Sequence, residues 1–206
     1  MLARQALWVP VVKHSPAFVE GAHKLLQKSP ITSLNVAAMG LKLEEVQVVL
    51  EPDPRHPGKV IASMMAFPAC ISAAACDFVH GQQQRRELTF GFATSLSDSC
   101  NTFHVMERLL PALNPHVSVN IQSHCMRRLR EGEKLVVVST IDKMGKRLVY
   151  CKTDFYVEVT EPVPEEMVQR EKSIKTPAEL RAALMYYEKA VSGSHVKSII
   201  SELKPG

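Results

Sequence analysis

The chain is 206 residues long, 46% apolar and 22% charged, with a net charge of +4 at pH 7. That is enough for one sizeable core, or for a domain with extensions, in an ordinary soluble globular protein. No apolar run reaches the roughly 18–20 residues of a membrane-spanning helix, and the mild basic excess suits an anionic ligand without by itself indicating nucleic acid.

Five cysteines (Cys70, Cys76, Cys100, Cys125, Cys151) lie far apart with no CxxC pair. Their odd number and spacing argue against a disulfide framework or a zinc site and for a reducing interior. The eight histidines form no HExxH and no pair at ligand spacing, so no metal is expected.

The first nineteen residues, MLARQALWVPVVKHSPAFV, hold Arg4 and Lys13 and no acid. Acid-poor, basic and apolar is the character of an organellar targeting segment, here mitochondrial. The alternative is an apolar arm that packs on a partner. Ser15-Pro16 then opens a helix over 16–28, with Phe18, Val19, Ala22, Leu25 and Leu26 at helical spacing. A second helical patch runs over 32–39 and ends at Gly40. EEVQVVLEP reads as a strand near 44–51, DPRHPGK as a turn, and KVIASMMAF as a returning strand over 59–67. Residues 68–87 mix small apolar residues with a polar, basic end and read as a loop with some helical character.

Residues 91–110 are the longest helical candidate. Phe92, Leu96, Phe103, Met106 and Leu110 give an apolar stripe, and Ala93, Ser95, Ser97 and Ser99 keep other faces small. Such a helix is suited to being wrapped by a sheet. Three alternating segments follow, 116–128, 133–145 and 146–161, joined by turns at Gly132 and KMGK; they read as an antiparallel meander. EMVQREKSIK (166–175) reads as a charged edge strand. Thr176-Pro177-Ala178-Glu179 is a capping box opening a helix to about residue 190, and a last helix is expected over 195–203. Strands and helices are segregated, so the class is α+β.

The order matches a hot-dog fold, a curved antiparallel sheet wrapped around one long helix. VSVN, REGE and MGKRLVY, with PGKVIASM upstream, resemble the strands and turns of the PaaI-type acyl-CoA thioesterases over about residues 40–175. That divides the chain into an arm and helix (1–39), a hot-dog domain (40–175) and a helical extension (176–206). The family's His-Gly-Gly turn stands nine residues before a helical acid. Counting back from Asp98 gives Thr89-Phe90-Gly91, a degenerate version of that turn. His80-Gly81 lies eighteen residues before Asp98 and would serve only if 82–90 looped out.

The resemblance implies thioester hydrolysis of acyl-CoA, with CoA as part of the substrate and no separate cofactor. Asp98 falls on the general base or nucleophile. Gly91 and the Phe90 amide fall on the oxyanion region, with the Phe90 side chain where the family has open backbone. Gln83 and Ser118 fall on the positions that orient substrate or water. Arg127, Arg128 and Arg130 fall near the family's CoA-binding surface, where a planar guanidinium suits phosphate. A solvated basic turn, or a contact to acidic protein or RNA, explains them equally well. For Asp98 the competing reading is a helix-surface acid bonded to Ser95, Ser97 or Ser99.

Three functions therefore stand. One is an active thioesterase, a homodimer or homotetramer with its site between subunits. Another is a hot-dog subunit whose chemistry has lapsed, gripping neighbours in a mitochondrial ribosome or respiratory complex. The third is an acyl-CoA sensor that binds without hydrolysis.

Overall fold

Ser-Pro pairs start the N-terminal helices, because proline at the first helical position has no N–H to lose. In the computed structural model, which describes residues 7–79, 82–112, 114–158 and 173–200, α2 spans Pro16–Lys28 and α3 spans Pro30–Ala38. Ahead of them lie β1 (Trp8–Pro10) and a single turn, α1 (Val11–His14). After them come β2 (Gln47–Pro52), β3 (Val60–Cys70), β4 (Cys76–Val79), β5 (Gln82–Leu88), α4 (Phe90–Leu109), β6 (His116–Cys125), β7 (Lys134–Met144), β8 (Leu148–Val157), α5 (Pro177–Leu184) and β9 (Lys189–Ile199).

Seven strands form one antiparallel sheet in the order β1-β2-β3-β7-β8-β9-β6, and α4 packs across it against β3, β6, β7, β8 and β9. This is the hot-dog arrangement that the sequence resemblance implies. The stripe Leu96, Phe103 and Met106 is the buried one, joined by Phe18 of α2, Met39 and the sheet residues Met65, Phe67, Leu135 and Val137. The alternate sheet residues Met64, Ala66, Val136 and Val138 face the other way, into a second cluster with Trp8, Leu180 and Leu184. Both faces of the middle strands are therefore covered. That is why β3 is a nearly continuous apolar run, and why LVVV (135–138) in β7 is unbroken although the segment 133–145 was expected to alternate.

Trp8, Val11 and Phe18, within the segment read as targeting-like, are buried parts of this core. The strand expected over 166–175 falls almost wholly outside the described residues.

Four sequence expectations are corrected. The helix from Thr176 does have its capping box, but it ends at Leu184. The segment read as a terminal helix is strand β9, inserted between β8 and β6. The sheet therefore continues past residue 175. The signal was inverted there, since the inward positions of β9 include Gly193, His195 and Lys197, all buried yet not apolar. Next, β6 does not continue into a meander; it pairs with β9, not β7. Its exit loop is tied elsewhere, with the Met126 and Arg127 N–H groups donating to Ala190 O and Gly132 N–H to Ile71 O. Last, the 68–87 segment has the short helical turn expected of it, at Ala73–Ala75, but is otherwise largely strand. It completes β3 and, after that turn, makes the two-stranded ribbon β4–β5, in which Arg86 lies 4.4 Å over the Phe78 ring. A ribbon held by backbone pairing and a cation–π contact needs no apolar alternation, so none was there to read.

Gly193 sits where β9 comes close to the backbone of β6. A Cβ placed there would lie 2.9 Å from the Gln122 carbonyl oxygen, whereas one on Gly91 would meet nothing within 4 Å. Gly193→Ala is therefore expected to destabilise the fold by about 1–3 kcal/mol. Gly91→Ala should leave thermal unfolding unchanged or raised, by up to ~1 kcal/mol. Calorimetry on the two variants makes the comparison.

Candidate functional site

Asp98, Asn101 and Thr102 sit at i, i+3 and i+4 on α4, a spacing that puts them on one face of the helix. The facing strands are β6 and β9. In β9, His195 and Lys197 are two apart and so point the same way, inward. In β6, register slips between Ser118 and Asn120, a bulge of the kind that re-aims a side chain.

Together these residues make one polar cluster. Asp98 Oδ1 accepts from Ser118 Oγ at 2.8 Å and from Lys197 Nζ at 2.7 Å. Lys197 Nζ also donates to Thr102 Oγ1 at 2.8 Å and reaches Ser118 Oγ at 3.4 Å. His195 Nε2 lies 3.0 Å from Ser118 Oγ and 3.5 Å from Asp98 Oδ1. The Asp98 side chain is 45% exposed, while His195 and Lys197 are 1% and 2% exposed. The exposed carboxylate and hydroxyl thus rest on a buried imidazole and a buried ammonium.

Burial pushes the Asp98 carboxyl up, but the Lys197 charge and the bonds from Lys197 and Ser118 outweigh it and hold it below the ordinary carboxylate range. Burial, then the Lys197 charge, pulls the His195 imidazole down to about 4, so it is neutral at physiological pH. The serines that competed for Asp98 are engaged elsewhere. Ser95 and Ser99 accept from Asn35 at 2.8 Å each, and Ser97 donates to Ala93 O.

At the start of α4, Thr89 takes the N-cap and its hydroxyl accepts from Phe92 N–H at 3.1 Å. The Phe90 and Gly91 amides occupy the first two helical positions, where no intrahelical acceptor exists. The Phe90 ring is half exposed and lies outside the core clusters. Residues 82–90 do not loop out, because β5 runs directly to Thr89; His80 and Gly81 lie outside the described residues. Eight residues separate Phe90 from Asp98, about 12 Å along the helix. One chain therefore cannot bring both to a single carbonyl.

Gln83 belongs to β5, and its side chain lies outside the described part. Arg127 is committed internally. Its guanidinium forms a fork on Glu133 at 2.9 and 3.1 Å and an ion pair with Glu188 at 2.7 Å. Arg128 pairs with Glu87 at 2.9 Å yet stays largely exposed, and Arg130 is exposed. Among the described residues no His, Cys, Asp or Glu group could hold a metal ion. His195, Lys197, Asn101 and Thr102 had no place in the sequence reading. The i, i+3, i+4 polar set beside Asp98 was visible, but its partners sat in a segment read as helix.

No protein-family model matches the sequence, and no curated protein does. Solved structures do match. The PaaI protein from the phenylacetic acid degradation operon of E. coli aligns at a TM-score of 0.54 and 10% identity, covering 91% of this chain and 96% of that one. Thioesterase superfamily member 2 from zebra fish aligns at 0.47 and 15% identity, covering 77% and 83%. A thioesterase from Haemophilus influenzae aligns at 0.49 and 12%, covering 82% and 85%. The PaaI likeness, nearly end to end, shows that this chain has the hot-dog fold; at that identity it shows the fold alone.

The ion pair predicts a stability pattern. Asp98→Ala leaves a buried ammonium without its counter-charge and should lower stability by on the order of 2 kcal/mol at pH 7, less than a fully buried pair would lose, because Asp98 is half exposed. Adding Lys197→Met should recover most of the loss. Because the folded Asp98 is the more acidic form, its contribution is present at neutral pH and disappears as pH falls through the depressed value. Denaturant titrations at pH 7 and at acid pH read both effects.

Proposed function

We propose that this protein hydrolyses acyl-CoA thioesters, with Asp98 as the general base. The observation that carries the reading is the 2.8 Å bond between Ser118 Oγ and Asp98 Oδ1. The family resemblance had singled out these two residues, twenty positions apart, for one site. In the proposed reaction, Asp98 takes a proton from a water held beside Ser118, and the water oxygen attacks the thioester carbonyl. The resulting oxyanion is met by the Phe90 and Gly91 amides at the helix N-terminus. Collapse expels CoA as its thiol and leaves the free acid.

The separation of Phe90 from Asp98 along α4 supports a site in which those amides come from a second copy of the chain. The exposed edge strand β6, with Val117 and Val119 half exposed or more, offers the pairing edge of a homodimer. Arg128 and Arg130 are the basic groups left to meet CoA phosphates, Arg127 being held by Glu133 and Glu188.

Lys197 favours a second reading. An ammonium 2.7 Å from the carboxylate weakens it as a base, and with the altered turn this fits a lapsed subunit of a large mitochondrial assembly.

Asp98→Asn keeps an acceptor for Lys197, so the variant should fold while acyl-CoA hydrolysis falls by at least about 100-fold. Unchanged turnover in purified Asp98→Asn would remove Asp98 from the mechanism. Absence of wild-type turnover across chain lengths, with recovery in a large particle, would select the lapsed subunit. In parallel, Val119→Lys at the β6 edge should shift sedimentation from dimer toward monomer and abolish turnover with it. A dimer that survives this charge would place the interface elsewhere.

A further inference from the structure

Behind Ser118 a chain of buried polar groups runs through the molecule. His195 Nδ1 faces the Asn101 amide nitrogen at 3.3 Å. The Asn101 amide oxygen faces Ser139 Oγ at 2.7 Å. Ser139 Oγ lies 2.9 Å from His104 Nδ1, and His104 Nε2 lies 3.2 Å from the Ala62 carbonyl, which also accepts from Arg108 Nη1 at 3.2 Å. His195, Asn101, Ser139 and His104 are all buried.

A neutral imidazole has one N–H, and its position is set by the bond at the other nitrogen. The chain can therefore run in two directions. In one, Ser139 donates to Asn101, and Asn101 donates to His195 Nδ1. His195 Nε2–H then donates to Ser118, whose hydroxyl donates to Asp98. Every contact up to Asp98 then carries a proton. Only His104 Nε2 is left facing a carbonyl without one, at 3.2 Å, and Arg108 already serves that carbonyl. In the reverse direction the Asn101 amide is flipped end for end, a choice that only hydrogen-bond direction decides. Ser118 then has one proton between two bare acceptors, an ionised carboxylate at 2.8 Å and an imidazole nitrogen at 3.0 Å. An unprotonated contact with that nearby charge costs more than one with a shared neutral carbonyl at longer range.

We infer that His195 is a positioning residue, held by Asn101 in the Nε2–H form, which fixes the Ser118 hydroxyl proton on Asp98 Oδ1. With Lys197 and Ser118 both on Oδ1, Oδ2 takes no hydrogen bond from the described residues. In the proposed reaction it is the oxygen that takes the water's proton. The groups facing His195 are Asp98 from α4, Ser118 and His116 from β6, and Lys197 from its own strand. Burial and Lys197 keep the ring neutral, so the argument from a single N–H holds.

The inference rests on the proposed hydrolysis only for its catalytic consequence, and it is testable without turnover. In full-length protein labelled with 15N-histidine, long-range 1H–15N correlation should show His195 protonated on Nε2 and bare on Nδ1. Asn101→Asp presents only acceptors to Nδ1, so His195 should move to the Nδ1–H or the doubly protonated form. Hydrolysis should then lose at least about tenfold in kcat with little change in KM. His195→Gln still offers an N–H near Ser118 and should keep kcat within a few-fold, whereas His195→Leu should not. A wild-type His195 protonated on Nδ1, or equal damage from Gln and Leu, overturns the inference. If wild type shows no turnover, the hydrolase reading fails, and the wild-type tautomer and its shift in Asn101→Asp still decide the hydrogen-bond direction.

Discussion

A lysine ammonium with 2% of its side chain exposed is the constraint around which the rest of this molecule is arranged. Removing such a charge from water is tolerable only when a counter-ion and hydrogen bonds replace the lost hydration. Both come from α4, with Asp98 supplying the charge and Thr102, one turn further on, a second acceptor. The ion pair therefore does more than balance charge. It fixes the rotation of α4 about its axis and its position along β9. The apolar stripe on the other side of α4, Leu96, Phe103 and Met106, is then committed to the core.

The same constraint specifies the register of the sheet. Lys197 stands opposite Ser118 in β6 and Val149 in β8, and His195 opposite Ile121 and Cys151. A slip of one residue would turn Lys197 and His195 to the opposite face and strip Asp98 of its partners. Two local features make the true register possible. Gly193 lets β9 approach the backbone of β6, and the bulge between Ser118 and Asn120 re-aims the Ser118 hydroxyl toward the helix.

Much of the fold was legible because its middle strands and central helix obey simple periodicity. The runs VIASMMAF and LVVV, the stripe on α4 and the Ser15-Pro16 helix start all signalled what they became. So did the pairing of Asp98 with Ser118, although only through resemblance to a family. What could not be read was β9. A strand whose inward positions include glycine, histidine and lysine looks solvent-facing at those positions, and Ser192-Gly193-Ser194 looks like a helix stop. Its burial is decided by Asp98 and Thr102, 99 and 95 residues before Lys197 in the chain, and no local pattern carries that. The ribbon β4–β5 was missed for a related reason. Of its described side chains, Cys76 and Leu88 pack against the core, too few to leave a period in the sequence.

Asp98 has two separate reasons to be where it is, and they can be told apart. Lys197 alone demands a carboxylate at this position, whatever the protein does, so the acid by itself argues nothing about chemistry. Asp98 and Thr102 already meet that demand. The chain through Ser118, His195, Asn101, Ser139 and His104 is not needed for it. Five linked polar side chains, most of them buried, are costly beside the apolar packing that could replace them. Folding does not explain why they are present. In the proposed reaction they would hold one serine proton on one carboxylate oxygen, the task of a site that positions water.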